Sequence, residues 1–350
     1  MLASTRNGVL NGLCGLGVAL GLSLSPHPSA ADEDDLQGVS GVGHPIYLTS
    51  MTHMEGGSDD HVSLSTFLTN VHLLEDAMDL AEHWEAVITV ESEKPFAMAN
   101  VKWKRNVMQE ILDRGHGVGT HCDVGYGDPK MSQTDYEREL AFNKALVDGL
   151  VGSDNNTGCS GGGGEPDWVA GLANTGFEYV DGVVGMHFLP TLPWTRPEGY
   201  TDYAIRFEGL FHSQIPVDLL DRTYLRTLAN DNDLDHDSSR GRLVLSAGGL
   251  GKLEGIAEGN YESHFDSNPV SEPTLDEDDV DALVELLYWI DEHRDPSRFS
   301  KVSIMSHAND WREGNRLKMI YFLEQMKSLQ DEGVIQWATE KGVVDAYLGR

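Results

Sequence analysis

"ILDRGHGVGTHCDVG" (residues 111–125) changes backbone type in its middle. Ile111 and Leu112 close an apolar helical repeat, and Gly115 stops it. Gly117, Val118, Gly119 and Thr120 then read as a short strand. That strand ends on His121, Cys122 and Asp123. A packed core has no use for an imidazole and a carboxylate two residues apart, whereas a site at the strand's carboxyl end does.

Working outward, the same alternation repeats on both sides. "HPIYLTSMTHME" (44–55) predicts a strand, followed by a helix with its N-cap near Ser65 or Thr66 that runs through Leu80. "EAVITVE" (85–91) is a second strand, "VKWKRNVMQEILDRG" (101–115) a second helix, and "HGVGTHCD" (116–123) the third strand. Helices over 132–150 and 165–176 precede the strand "FEYVDGVVG" (177–185). Two polar or Pro-rich stretches, 189–203 and 228–242, read as rim loops. Strands at 242–249, 301–310 and 334–339 then alternate with helices at 276–294 and 315–333. The acids at 276–279 suit the positive end of a helix dipole.

Strand–helix alternation without internal repeats predicts a parallel α/β fold. About seven strands fit an irregular (β/α) barrel better than an open sheet. No Gly-x-Gly-x-x-Gly follows the first strand and no Walker-type lysine is present, which argues against nucleotide binding. No linker divides 40–350, so one domain is expected there.

In parallel α/β folds ligands meet the carboxyl ends of the strands. The first strand ends on His53 and Glu55, and the third on His121 and Asp123. The fourth region leads to Asp181 and then His187, and "VSIMSH" ends on His307, followed by Asn309, Asp310 and Trp311. One strand-end histidine is commonly a surface residue, but several strands delivering imidazole or carboxylate to one rim point to a shared site. Such a set suits a divalent ion such as zinc. His187 reads as a further ligand or as a cap on a rim loop.

The first 31 residues carry Arg6, no acid, a short apolar run and small residues at a cleavage position, the pattern of an export signal (1–31). Counting 57 acids against 25 bases, the net charge is -32, or -33 once Arg6 is removed. A surface this acidic repels nucleic acid and anionic membranes and fits a salty external medium, while no later segment is apolar for long enough to span a bilayer. Secretion, or export to a periplasm, permits a disulfide between Cys122 and Cys159, with free thiols the alternative.

On these residues the chain resembles the polysaccharide deacetylase superfamily, with its NodB-type barrel. "GHGVGTHCDVG" resembles that family's metal-histidine block, placing His121 on its first metal-binding histidine. "TSMTHMEGG" occupies the place of its Asp-Asp block, with Glu55 on the metal-binding carboxylate and Met54 where the catalytic base belongs. "VSIMSHAND" resembles the strand whose histidine, here His307, assists catalysis. Gly125 stands at the second metal histidine, so His53 and Asp123 are the candidates for the vacant roles of ligand and base.

The resemblance implies a secreted metal-dependent hydrolase that removes acetyl groups from a polysaccharide or oligosaccharide. His307 and Asp123 would be catalytic, Glu55, His121 and His53 would hold the metal, and Trp194, Trp311 and Asn309 would contact the carbohydrate. A glycoside hydrolase using Glu55 with Asp123 or Asp181 is one alternative. A glycan-binding barrel that has lost its base and one ligand is another.

Overall fold

Residue parity along β1 (Ile46–Met54) sorts the molecule into an inside and an outside. Ile46, Leu48 and Met54 point into the apolar layer under the helices, while Tyr47, Thr49, Met51 and His53 alternate with them and face the barrel interior. The computed structural model describes residues 43–55, 59–122, 124, 130–214, 217–259 and 275–350, with His307 described by its backbone alone. The expected leader 1–31, Asp123 and Gly125 lie outside the described residues.

From β1 the chain runs through α1 (Leu64–His83), β2 (Thr89–Ser92), α2 (Lys94–Lys102), α3 (Val107–Asp113), β3 (Gly117–His121), α4 (Gln133–Val151), β4 (Gly158–Ser160), α5 (Trp168–Asn174) and β5 (Tyr179–Asp181). The region 189–242 contains α6 (Asp202–Phe207), α7 (Leu219–Thr223) and β6 (Arg226–Leu228). Then come β7 (Leu243–Ser246), β8 (Gly249–Lys252), α8 (Glu277–His293), β9 (Ser300–His307), α9 (Arg316–Asp331), β10 (Ile335–Trp337) and α10 (Glu340–Leu348).

The ten described strands form one sheet in the order β6-β7-β5-β4-β3-β2-β1-β9-β8, with β10 added beside β1. Every pairing is parallel except β6 with β7. No continuous ladder joins the two ends of this path among the described residues. Instead Tyr224 bridges to Ser300, Leu225 N donates to Phe299 O, and Ser303 N donates to Gly248 O. These contacts bring the β6–β7 end round against β9, which makes an irregular (β/α) barrel.

The layers follow from the sequence. Val90, Val118, Val302 and Ile304 face outward into one apolar cluster with Phe67, Leu74, Met78, Leu287 and Phe322. A second cluster, around Trp168, Tyr136, Leu140 and Val180, covers the β4–β7 side. Each fully buried Leu or Phe here contributes about 1.5–3 kcal/mol by transfer from water. The bottom of the barrel is closed by α10, whose Val343 and Val344 pack on Tyr47, Tyr179 and Val244.

Two expectations are corrected. The helix expected over 101–115 is two helices, because Lys104 adopts a left-handed φ of 57° and Asn106 caps α3 by accepting from Gln109 N. The sheet also has three strands more than the seven expected, namely β4, β6 and β8, each of three or four residues. The acidic start of α8 is as expected: Asp276 and Asp279 cap each other's backbone N–H, a pairing worth about 1 kcal/mol.

Candidate metal centre

Register places the polar interior residues in rows. His53 on β1 is paired with Glu91 on β2, and Glu91 with Gly119 on β3. One step nearer the carboxyl ends, His121 is paired with Ser160, Ser160 with Asp181, and Asp181 with Ser246. Paired residues of parallel strands share a face, so six neighbouring strands, β1, β2, β3, β4, β5 and β7, deliver these groups to the same interior.

At the top of these rows His53, Glu55 and His121 come together, and one ligand atom from each lies within 4.8 Å of the others. His53 Nδ1 is 3.7 Å from Glu55 Oε1, and His121 Nε2 is 3.8 Å from Glu55 Oε2. The two imidazoles stack with centroids 4.2 Å apart. The other nitrogen of each ring has a separate neighbour: His121 Nδ1 is hydrogen-bonded to Ser160 Oγ at 2.8 Å, and His53 Nε2 faces Glu91 Oε2 at 3.0 Å. Burial alone would lower the His53 pKa, but the flanking carboxylates of Glu55 and Glu91 outweigh it and push the pKa up to about 9.

A cavity of about 660 Å³ opens over the cluster; His53, Glu55, Glu93, His121, Asp181 and His187 are among its lining residues. That volume lies in the range of small-molecule sites. Under it sits a buried ionic group that sequence reasoning did not foresee. Lys301 Nζ, on β9, lies 2.6 Å from Glu340 Oε2 and 3.3 Å from Asp181 Oδ1. Glu340, at the start of α10, also accepts hydrogen bonds from Thr49, Ser246 and Ser303. One cation serves two buried carboxylates. The better-bonded Glu340 is held below the usual carboxylate range by Lys301 despite its burial, whereas burial and the neighbouring Glu340 push Asp181 well above it. Asp181 is thus the member of the buried group that lines the cavity.

The remaining expected site residues are distributed as follows. The backbone of His307 is paired with that of His53, at the same level of the barrel. Cys122 and Cys159 form a disulfide with Cα atoms 5.8 Å apart, joining β3 to β4 one residue from His121 and from Ser160. Trp311 does not offer a stacking surface: it is 4% exposed and packs in the main core, since the turn after β9 folds it back onto the helices. Trp194 is exposed on the 189–203 insertion, and Asn309 is exposed and accepts from Arg312; neither is among the cavity-lining residues. His187 acts as a cap: Nδ1 accepts from Val184 N and Nε2 faces Gly161 O, and burial pushes its pKa down to about 4. Met54, which the resemblance placed at the catalytic base, faces the outer core. Glu91, Lys301 and Glu340 were not foreseen. Glu91 ends "EAVITVE" just as His121 ends its own strand, so the same strand-end rule would have found it.

The chain thus has the fold of the polysaccharide deacetylases, a NodB-type irregular (β/α) barrel, in a divergent version. No family model matches it, and no curated protein sequence does. Among solved structures it is similar to a probable polysaccharide deacetylase from Pseudomonas aeruginosa PAO1, at 13% identity over 87% of this chain and 91% of that one, with a TM-score of 0.54. It is also similar to the allantoinase PuuE, at 11% identity over 95% of this chain and 98% of that one, with a TM-score of 0.53. At such identities the likeness defines the backbone, and the chemistry has to be argued from the side chains.

Proposed function

We propose that this protein is an exported, metal-dependent hydrolase that removes acetyl groups from a polysaccharide or oligosaccharide. The observation that carries the reading is the triangle of His53, Glu55 and His121 beside a cavity at the strand carboxyl ends, in a fold shared with the probable polysaccharide deacetylase of Pseudomonas aeruginosa. Two imidazoles and one carboxylate are the donor set of a catalytic zinc site that keeps a position open. His53 Nδ1, His121 Nε2 and the Glu55 carboxylate would hold the ion. Bound there, it would polarise an acetyl carbonyl and lower the pKa of a water molecule.

The protein's own groups supply the rest. The outer nitrogen of His121 is hydrogen-bonded to Ser160 and that of His53 faces Glu91, while the inner nitrogens face Glu55. Asp181 lies on the cavity wall, its pKa raised by burial and by the neighbouring Glu340. Asp181 and His307, whose backbone is level with that of His53 across the β1–β9 pair, are the candidates for the general acid that protonates the departing sugar nitrogen or oxygen. Export is supported by the leader-like 1–31 and by the Cys122–Cys159 disulfide, which an oxidising compartment preserves. None of the described helices is long and apolar enough to cross a membrane.

The test is elemental analysis of the purified protein together with product analysis on acetylated oligosaccharides. Near-stoichiometric zinc or a similar ion, and acetate release that disappears in His121→Ala, are expected. New reducing ends instead of acetate would move the assignment to glycoside hydrolysis. Glycan binding without turnover would make the protein a binding barrel.

A further inference from the structure

Resting on the metal-centre reading above, we infer that Glu91 is a positioning residue: it fixes His53 with Nδ1 turned toward Glu55 and His121, and Gly119 lacks a side chain in order to seat it.

Three observations converge on Glu91. First, it is completely buried and is not among the cavity-lining residues, so it acts through another group rather than on a substrate. Second, its Oε2 stands 3.0 Å from His53 Nε2, the nitrogen turned away from the cluster, although the pair is off the line of a straight hydrogen bond. Among the described residues neither carboxylate oxygen has an aligned hydrogen-bond partner. A buried carboxylate so poorly supplied lowers stability relative to an apolar side chain of the same volume, so its presence calls for a reason other than packing. Third, Gly119 is paired with Glu91 across β2 and β3, and a Cβ there would lie 3.1 Å from both Cγ and Oε1 of Glu91. Gly119 is not among the glycines with positive φ. Space for the Glu91 side chain is therefore what the glycine provides, not backbone freedom.

The two histidines then follow one plan. Each uses its outer nitrogen on a side chain from the neighbouring strand, Glu91 for His53 and Ser160 for His121. Each presents its inner nitrogen to Glu55. An imidazole whose far N–H faces a carboxylate is held in one tautomer and is a more basic metal ligand, and loss of such a partner costs about 10–100-fold in metal affinity.

The experiment is chelator competition for Zn2+ on the purified full-length protein, with the visible spectrum of the Co2+ form as a second readout. Glu91→Leu removes the carboxylate at similar volume, a change buried sites tolerate. It is expected to weaken Zn2+ binding by about 10–100-fold and to alter the Co2+ bands, with Glu91→Gln recovering part of the loss. Gly119→Ala keeps the carboxylate but displaces it, and is expected to weaken binding by about threefold or more; it decides the matter if Glu91→Leu does not fold. Wild-type affinity and an unchanged Co2+ spectrum in folded Glu91→Leu, or in Gly119→Ala, would overturn the inference while leaving the metal centre intact. Absence of stoichiometric Zn2+ binding by the wild type would instead overturn the metal-centre reading.

Discussion

His121 Nδ1 and Ser160 Oγ are hydrogen-bonded at 2.8 Å across the β3–β4 pair, and the residues that follow and precede them, Cys122 and Cys159, are joined by a disulfide. The covalent link and the hydrogen bond tie the same two strands within one residue of a candidate ligand. The bridge spans 37 residues, which corresponds to about 4 kcal/mol in the chain-entropy account of disulfide stabilisation. Replacing both cysteines by serine should lower stability by about 2–4 kcal/mol and, because β3 is then free to shift, weaken Zn2+ binding by about threefold or more. Urea unfolding and chelator competition check the two parts separately. Wild-type affinity in the double variant would show that the bridge serves the fold alone.

The strand-end rule explains how much was legible beforehand. Long alternating stretches such as 44–55 announced their strands and where those strands end, so His53, Glu55 and His121 could be gathered without coordinates. β4, β6 and β8 could not be read that way, because three or four residues are too few to count a period. Trp311 was misplaced because a polar neighbourhood in sequence, "SHANDW", says nothing of a turn that folds the indole back into the core. Lys301 and Glu340 were invisible for a different reason. Their partnership joins the start of one strand to the first turn of the last helix, and it makes sense only once the barrel closes around Asp181.

That buried group yields a stability prediction. Lys301 is the one cation paired with both Asp181 and Glu340 among the described ion pairs. Lys301→Met should therefore cost about 3–5 kcal/mol, since it leaves a buried anion without its partner. Lys301→Met combined with Glu340→Gln should recover a large part of that loss, because no uncompensated charge then remains. Denaturant unfolding of the two single variants and the double variant measures the coupling. Additive losses would contradict a shared ionic group.

His187 gives a pH dependence with a definite sign. Its pKa is about 4 in the folded protein, against 6.5 for an ordinary histidine. The unfolded chain thus takes up a proton below about pH 6.5, while the folded chain resists until about pH 4. Stability from this residue is complete above pH 6.5 and is lost as pH falls through that window, by about 3 kcal/mol in all. His187→Gln cannot titrate there. The wild-type minus variant difference in unfolding free energy should shrink as pH drops from 7 to 4.5; a constant difference would rule out a buried neutral imidazole.

Met54 offers a direct trial of the sheet register. By the resemblance it occupies the place of a catalytic carboxylate, and on that ground alone Met54→Asp would complete the site. The strand's parity says otherwise: His53 faces the interior, and Met54, 2% exposed, sits among apolar side chains under the helices. Among the described residues its surroundings are apolar and it lines no cavity, so an aspartate there would pay the desolvation of an isolated carboxylate or hold a proton to avoid it. Met54→Asp should lower stability by about 4 kcal/mol or more, with no gain in acetate release. Met54→Leu, equal in volume, should change stability by less than about 1.5 kcal/mol. Thermal unfolding and acetate assays on both variants distinguish the two registers, since a side chain that faced the cavity would tolerate the acid and change turnover instead.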